Sequence, residues 1–96
     1  RIRSIDFGAF RDLRNLVVLS LVNNQLEVLE NFEFQYLVNL KEFFIQNNKL
    51  YKIESYLFKN CHFLIEISFN YNKLYQIERN TFNGMENNLR NLIIDN

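Results

Sequence analysis

The sequence predicts an α/β-type repeat solenoid: a curved stack of similar units, with one short parallel strand per unit and a convex side of loops and short turns. The main observation is a spacing of 24 residues, opened by Leu16, Leu40 and Leu64. Apolar residues follow each of these leucines at offsets of three, five and ten. An asparagine at offset eight and a phenylalanine at offset 18 keep the same register.

The repeat register divides the chain into five segments. Complete repeats cover 16–39, 40–63 and 64–88, and partial units cover 1–15 and 89–96. The third repeat carries one extra residue before Leu89, which a surface loop can absorb. We therefore expect one repeat segment over 1–96. Because the first and last units are incomplete, we also expect a fragment whose caps, signal peptide, membrane span or further domains lie outside it.

Each unit is predicted to supply one strand, near residues 18–22, 42–46, 66–70 and 91–95. In Leu19-Ser20-Leu21 two apolar residues flank an outward one, which is the period of two that a half-buried strand requires. Consecutive parallel strands need a crossover of about a dozen residues or more, and the rest of each unit supplies it. Stacked units then share one continuous core.

The complete pattern, LxxLxLxxNxLxxLxxxxFxxL, resembles the leucine-rich repeat family in its typical 24-residue extracellular form. The resemblance covers the whole chain, and three complete registers carry the asparagine and the phenylalanine in phase. The repeats are similar to those of the Toll-like and chaoptin-like receptor and adhesion arrays. This resemblance implies a horseshoe-shaped solenoid that binds partners on its concave sheet.

Residues at one offset in successive units form a column, and two columns indicate how the interior is filled. Asn24, Asn48 and Asn72 lie where each strand bends, and an amide has both a donor and an acceptor. We interpret them as a buried structural ladder rather than as ligand residues. A second column forms an aromatic spine in the core, not a cofactor site: Phe10, Phe34, Phe58 and Phe82.

Composition argues against several classes of partner. Eleven basic residues balance eleven acidic ones, so nonspecific attraction to nucleic acid or to an anionic membrane is weak. We therefore expect no nucleic-acid partner and no membrane contact by this segment. No apolar run approaches the ~20 residues of a membrane span. With two glycines, Gly8 and Gly84, the chain has no phosphate-binding loop, and we expect no cofactor.

Catalytic and metal-binding groups are not predicted. Cys61 and His62 are adjacent, but neighbouring residues on an extended segment point to different sides, with Cys61 inward. Two such residues also lack the ligand count of a zinc site. We expect no enzymatic activity, no catalytic residue and no metal site in this segment, and we interpret Cys61 as a small core residue.

An acidic column recurs at Asp6, Glu30, Glu54 and Glu78. It could form a site for a cation or a basic partner. The alternative is that each carboxylate accepts hydrogen bonds from free N–H groups at the start of a short helical turn. We favour the second interpretation, because exposed carboxylates stay hydrated and interact weakly.

The outward strand positions form the predicted partner-binding surface. Phe44 is its proposed anchor, because no neighbouring side chain was expected to bury it. The alternative is a single surface aromatic with no role. The expected partner-binding residues are Val18, Ser20, Val22, Glu42, Phe44, Gln46, Glu66, Ser68, Asn70, Tyr71 and Ile93.

These observations predict a protein-binding scaffold that is part of an extracellular receptor or adhesion protein, with a protein ligand on the concave sheet. The expected location is extracellular or at the cell surface. Two alternatives remain open. One is an intracellular regulatory repeat protein, which a reduced Cys61 and the lack of an Asn-x-Ser/Thr sequence would suit. The other is the ectodomain of a receptor kinase whose catalytic domain lies outside this chain.

Overall fold

The computed structural model describes residues 1–74, Thr81 and the backbone of residues 91–93. Its main element is a parallel sheet in which strands follow one another in chain order. The predicted repeat solenoid with one parallel strand per unit is confirmed. The four strands are β1 (Val18–Ser20), β3 (Glu42–Phe44), β5 (Glu66–Ser68) and β6 (Asn91–Ile93).

The strand register follows the repeat spacing. Leu19 pairs with Phe43, and Phe43 pairs with Ile67, so that residues of one column lie side by side. Each strand has three residues rather than the five predicted. Pairing continues beyond β1, since Leu21 N donates to the Phe44 carbonyl at 2.8 Å. Pairing reaches Asn23, whose N donates to the Gln46 carbonyl at 3.1 Å and whose φ of 64° begins the bend.

The convex side holds more regular structure than the loops and turns that the sequence predicted. Strands β2 (Val28–Leu29) and β4 (Lys52–Ile53) pair in parallel as a second, two-stranded sheet. Helix α1 (Asn31–Phe34) forms a single turn after β2. A two-residue strand is too short to leave a periodic pattern in the sequence, which is why β2 and β4 were not predicted.

The core runs through the units as a chain of aromatic contacts. The Phe34 and Phe58 rings meet edge to face with centroids 5.5 Å apart, and Phe10 lies 6.2 Å from Phe34. Phe43 of β3 packs 5.0 Å from Phe34, which joins the convex spine to the sheet. Such edge-to-face pairs add to the hydrophobic stabilisation of each ring. Phe82, the fourth predicted member of the spine, lies outside the described residues.

Burial falls off at the first layer of the stack. Phe43 and Ile67 are fully buried, whereas Leu16 and Leu19 are only partly buried. In the described part of the chain β1 is the first strand of the sheet, so Leu19 has a strand neighbour on one side only. In the described part of the chain, no helix has the length and apolar character needed to cross a lipid bilayer.

Candidate functional site

The asparagine column forms a ladder of hydrogen bonds at the bend after each strand. The Asn72 side chain accepts from Leu50 N at 2.9 Å and donates to the Ile45 carbonyl of the preceding unit at 3.0 Å. It also donates to the Phe69 carbonyl of its own unit. Asn48 repeats this arrangement, and Asn24 accepts from Ile2 N at 2.9 Å. The ladder satisfies backbone groups that the bend turns inward.

The concave face presents the outward residues of β1, β3 and β5 with very different exposure. Val18, Ser20 and Tyr71 are exposed. The partly buried residues are Val22, Glu42, Phe44, Gln46, Glu66 and Asn70. The Ile93 side chain lies outside the described residues.

Two residues of this face differ from the sequence-based expectation. Ser68 was expected to be exposed, but only 3% of its surface is accessible. Phe44, its partner in register, is partly buried rather than exposed. Ser68 has strand neighbours on both sides, β3 and β6, whereas Ser20, the other register partner of Phe44, lies on strand β1 at the sheet edge and is exposed. Phe44 therefore offers one part of its ring, not the whole ring, to a partner.

Polar groups surround Phe44 along the strand direction. At the start of the strands, Glu42 and Glu66 lie side by side in register. At the other end, the Gln46 Oε1 and Asn70 Oδ1 atoms are buried without a hydrogen-bond partner among the described residues. The concave face therefore combines an acidic edge, a central aromatic ring and an edge of amide groups.

A second ladder of asparagines borders the amide edge. Asn47 Nδ2 donates to Asn23 Oδ1 at 2.6 Å, and both residues have left-handed backbone conformations. Tyr71 occupies the next position of this column with a φ of 60° and is 72% exposed. A left-handed conformation is costly for a tyrosine and is better tolerated by asparagine. An exposed aromatic is thus held at the rim of the concave face in a strained conformation.

Glu30, the N-cap of α1, forms a capping box with Glu33 at its own turn, as expected, whereas Glu54 acts across units. Glu54 Oε1 accepts from Asn31 N, in the first turn of α1, at 2.8 Å. The sequence-based interpretation placed each carboxylate at its own turn, whereas this one serves the turn of the preceding unit. Glu78 lies outside the described residues.

The Cys61-His62 pair is divided between the interior and the surface. Cys61 is buried with its Sγ 3.9 Å from the Phe34 carbonyl oxygen, and His62 is exposed. Burial raises the pKa of the Cys61 thiol to about 12. Its thiolate, the reactive form, is therefore scarce near neutral pH. Within the described residues, no three His, Cys, Asp or Glu side chains are grouped as metal ligands.

Glu33 is a further polar residue in the interior that the sequence analysis did not single out. It is 6% exposed and occupies the column position that Leu57 fills in the next unit. Burial raises the pKa of Glu33 to about 7, the hydrogen bond from Glu30 N opposes this, and the Glu30 and Glu54 charges add to the rise. The sequence does carry a signal for this site: Glu33 directly precedes Phe34, whereas Leu57 precedes Phe58 in the next repeat.

A stack of parallel strands, an asparagine ladder at each bend and an open concave sheet define a repeat scaffold for ligand binding. The chain belongs to the leucine-rich repeat family: the model of the BspA type leucine rich repeat region matches residues 1–96 in six copies. A search of curated protein sequences gave no match.

A solved structure with this fold is the crystal structure of a TLR13-ssRNA13 complex. It is 28% identical to this chain and superposes with a TM-score of 0.86. The match covers 96% of this chain and 13% of the TLR13 chain, so this chain spans about an eighth of the length of that protein.

This similarity corrects one sequence-based expectation. We excluded a nucleic-acid partner because the net charge is zero, and that exclusion is wrong, since the similar TLR13 solenoid is in complex with ssRNA13. Net charge is a sum over the chain and does not describe the local charges that meet a ligand. A balanced composition therefore excludes no class of partner.

Proposed function

We propose that this chain is a protein-binding segment of an extracellular receptor or adhesion protein and that a protein ligand docks on the concave sheet. The observation that carries the proposal is the partly buried Phe44 ring at the centre of that sheet. Aromatic residues that are rigid and partly desolvated are frequent anchors of protein interfaces. Exposed Val18 on one side and Tyr71 at the rim extend the apolar surface around it.

The charges on the described part of this face suit a protein ligand that carries basic side chains. Glu42 and Glu66 are neighbours in register, so two carboxylates lie at one edge of the face. A protein ligand could meet the same edge with lysine or arginine side chains. Electrostatic complementarity of this kind increases the rate of association and the specificity for the correct partner.

The extracellular or cell-surface location is part of the proposal. The Toll-like resemblance of the repeats, the BspA type of the family model and the similarity to TLR13 support it. The alternatives are an intracellular regulatory repeat protein and the ectodomain of a receptor kinase. Flanking cysteine-rich caps and a signal peptide in the full-length transcript would favour the ectodomain, and a kinase motif would favour the receptor kinase.

We also propose that the segment acts by binding and has no catalytic role. The support is chemical: the only thiol is buried with a raised pKa, and its sequence neighbour His62 lies at the surface. A nucleophile and its base need to be within hydrogen-bonding distance in an accessible site.

The experiment compares binding of the wild type and two matched variants to a panel of secreted and cell-surface ectodomains, with single-stranded RNA as a separate arm. Phe44→Ala should weaken binding of the ligand by roughly 30-fold, or about 2 kcal/mol. The control, Phe63→Ala, removes an aromatic ring that is 56% exposed outside the concave strands and should bind normally.

Two results would contradict the proposal. Normal binding by Phe44→Ala, together with loss of binding after changes at His62 or Glu54, would move the interface to the convex side. Saturable binding of RNA that Phe44→Ala abolishes, with no protein ligand found, would assign the concave face to nucleic acid instead.

A further inference from the structure

A cavity of about 440 Å³ lies on the convex side, away from the concave sheet. Residues 3–5 of the first, partial unit form one wall, residues of the first complete unit form the other, and Lys49 closes one side. This volume is in the range of sites for small ligands, roughly 300–1,000 Å³.

At the wall of the cavity, a side chain takes the place of a backbone contact between units. Between the two complete units, Glu54 N donates to the Leu29 carbonyl at 3.2 Å. Glu30 N occupies the same position one unit earlier, but it donates to Glu33 Oε1 at 2.9 Å. The Glu33 carboxylate thus substitutes for a carbonyl of the neighbouring unit. Space remains between the units at this point, although Gln25 N still donates to the Ile2 carbonyl nearby.

The Glu33 carboxylate is buried and only half satisfied. Its Oε1 atom accepts the bond from Glu30 N, while Oε2 has no hydrogen-bond partner in the described part of the chain. Glu33 lines the cavity and is 6% exposed. Burial disfavours the ionised form of Glu33 unless a cation or a hydrogen-bond donor reaches its carboxylate.

The rest of the cavity wall suits a positive charge. The carboxylates of Glu27 and Glu30 line it together with the ring of Phe32. Phe7 packs against that ring with centroids 5.4 Å apart and holds it in place. Carboxylates beside the face of an aromatic ring are the groups that recognise organic cations.

Two basic residues also line the cavity, and neither neutralises Glu33. Arg3 Nε donates to Gln25 Oε1 at 2.9 Å, which directs the guanidinium to an amide. Neither Arg3 nor Lys49 forms an ion pair with the cavity carboxylates among the described residues. With Glu33 ionised, three carboxylates face two cations, so one negative charge remains for a ligand.

We propose that this cavity binds an organic cation, with its ammonium or guanidinium group against Glu33 and its alkyl part against Phe32. The source of the group can be a free amine or a lysine or arginine side chain of a partner protein. This site is independent of the concave surface.

The test uses n-butylammonium and n-butylguanidinium, titrated into the folded chain and followed by NMR at pH 6 and pH 8. We expect saturable binding that is about tenfold tighter at pH 8, because Glu33, whose pKa is about 7, is mostly protonated at pH 6. The charged groups near Glu33 are Glu27, Glu30, Glu54, Arg3 and Lys49.

Two variants separate binding from folding. Glu33→Gln keeps an oxygen that can accept from Glu30 N, so it should fold, but it should bind the cations at least tenfold more weakly and without the pH dependence. Glu42→Gln removes a carboxylate from the concave face and should bind them as the wild type does. NMR spectra of each variant establish that the fold is intact.

Three results would overturn the proposal: unchanged binding by Glu33→Gln, equal binding of n-butanol or butyrate, or no saturation by either cation with folded wild type. The tripeptide Gly-Arg-Gly distinguishes the two sources. If the tripeptide binds more tightly than n-butylguanidinium, the ligand is a side chain of a partner protein. If the tripeptide binds more weakly, the ligand is a free amine.

Discussion

Asn48 links two neighbouring repeats to each other: its Oδ1 atom accepts from Leu26 N at 3.0 Å. Its Nδ2 atom donates to the Leu21 carbonyl at 2.8 Å, so one buried side chain satisfies two backbone groups of the preceding unit. The stack is held by this polar ladder as well as by its apolar core.

Asn48→Ala should lower the free energy of unfolding by roughly 1–3 kcal/mol, because buried backbone groups lose their partners. Chemical denaturation measures the change. The matched control is Asn47→Gly, next to it but exposed, and glycine keeps the left-handed φ of 60° without strain. Asn47→Ala would be a poor control because alanine is strained there. Equal midpoints for Asn48→Ala and Asn47→Gly would contradict a structural role for the ladder.

Truncation should cost much more stability at Phe58 than at Phe44. Phe58 is 1% exposed and contacts Phe34 and Phe43, so Phe58→Ala should cost about 3–5 kcal/mol of stability. Phe44 is only partly buried, and Phe44→Ala should cost about 1 kcal/mol. Urea denaturation of both variants tests this. A larger loss for Phe44→Ala would mean that its ring is a core residue and not a binding anchor.

Glu33 should make stability depend on pH. Its pKa is raised from 4.5 to about 7, so the folded chain binds this proton more readily than the unfolded chain does. Protonated Glu33 makes its full contribution to the free energy of unfolding below pH ~4.5. This contribution is lost as the pH rises through about 7. We compare the free energy of unfolding of Glu33→Gln with that of the wild type. The variant minus wild-type difference should be about 2–3 kcal/mol larger at pH 8 than at pH 4.

The measurement is a series of denaturation curves for both proteins across that pH range. Because other titrating groups are common to both, their effects cancel in the difference. A difference that does not change with pH would show that Glu33 titrates as an ordinary exposed carboxylate.

Cys61 should be unreactive in the folded chain. Its raised pKa, about 12, and its burial leave little thiolate at pH 8 and no access for a reagent. Reaction with Ellman's reagent should proceed only as fast as the chain unfolds, while the denatured chain reacts at once. Rapid labelling of the native chain would contradict the core assignment of this residue.

Tyr71→Asn should stabilise the chain by about 0.5–1 kcal/mol, because asparagine tolerates the left-handed conformation that Tyr71 adopts. It would also place a third asparagine beside the Asn23–Asn47 pair. The control is Tyr51→Asn, since Tyr51 is 45% exposed and does not have a positive φ. Thermal unfolding compares the two, and equal melting temperatures would argue against strain at Tyr71.

The sequence by itself determined the repeat register and everything that follows from periodicity. Leu19, Phe43 and Ile67 align in the sheet as their common offset predicted, and the parallel order of the strands follows from one strand per unit. The physical reason is that a repeating unit can bury its apolar face only against a neighbour in the same register. The asparagine at each bend could be predicted for the same reason, because its role recurs at Asn24, Asn48 and Asn72.

Features that depend on contacts between units could be established only from the tertiary structure. Ser68 is buried and Phe44 partly buried on interior strands of the sheet, whereas Ser20 on the edge strand β1 is exposed. The short β2–β4 pairing leaves no periodic signal. At the wall of the convex cavity, Glu33 takes a hydrogen bond that a carbonyl takes in the next unit. A repeat pattern describes what its units share, whereas these features arise where one unit differs from the next.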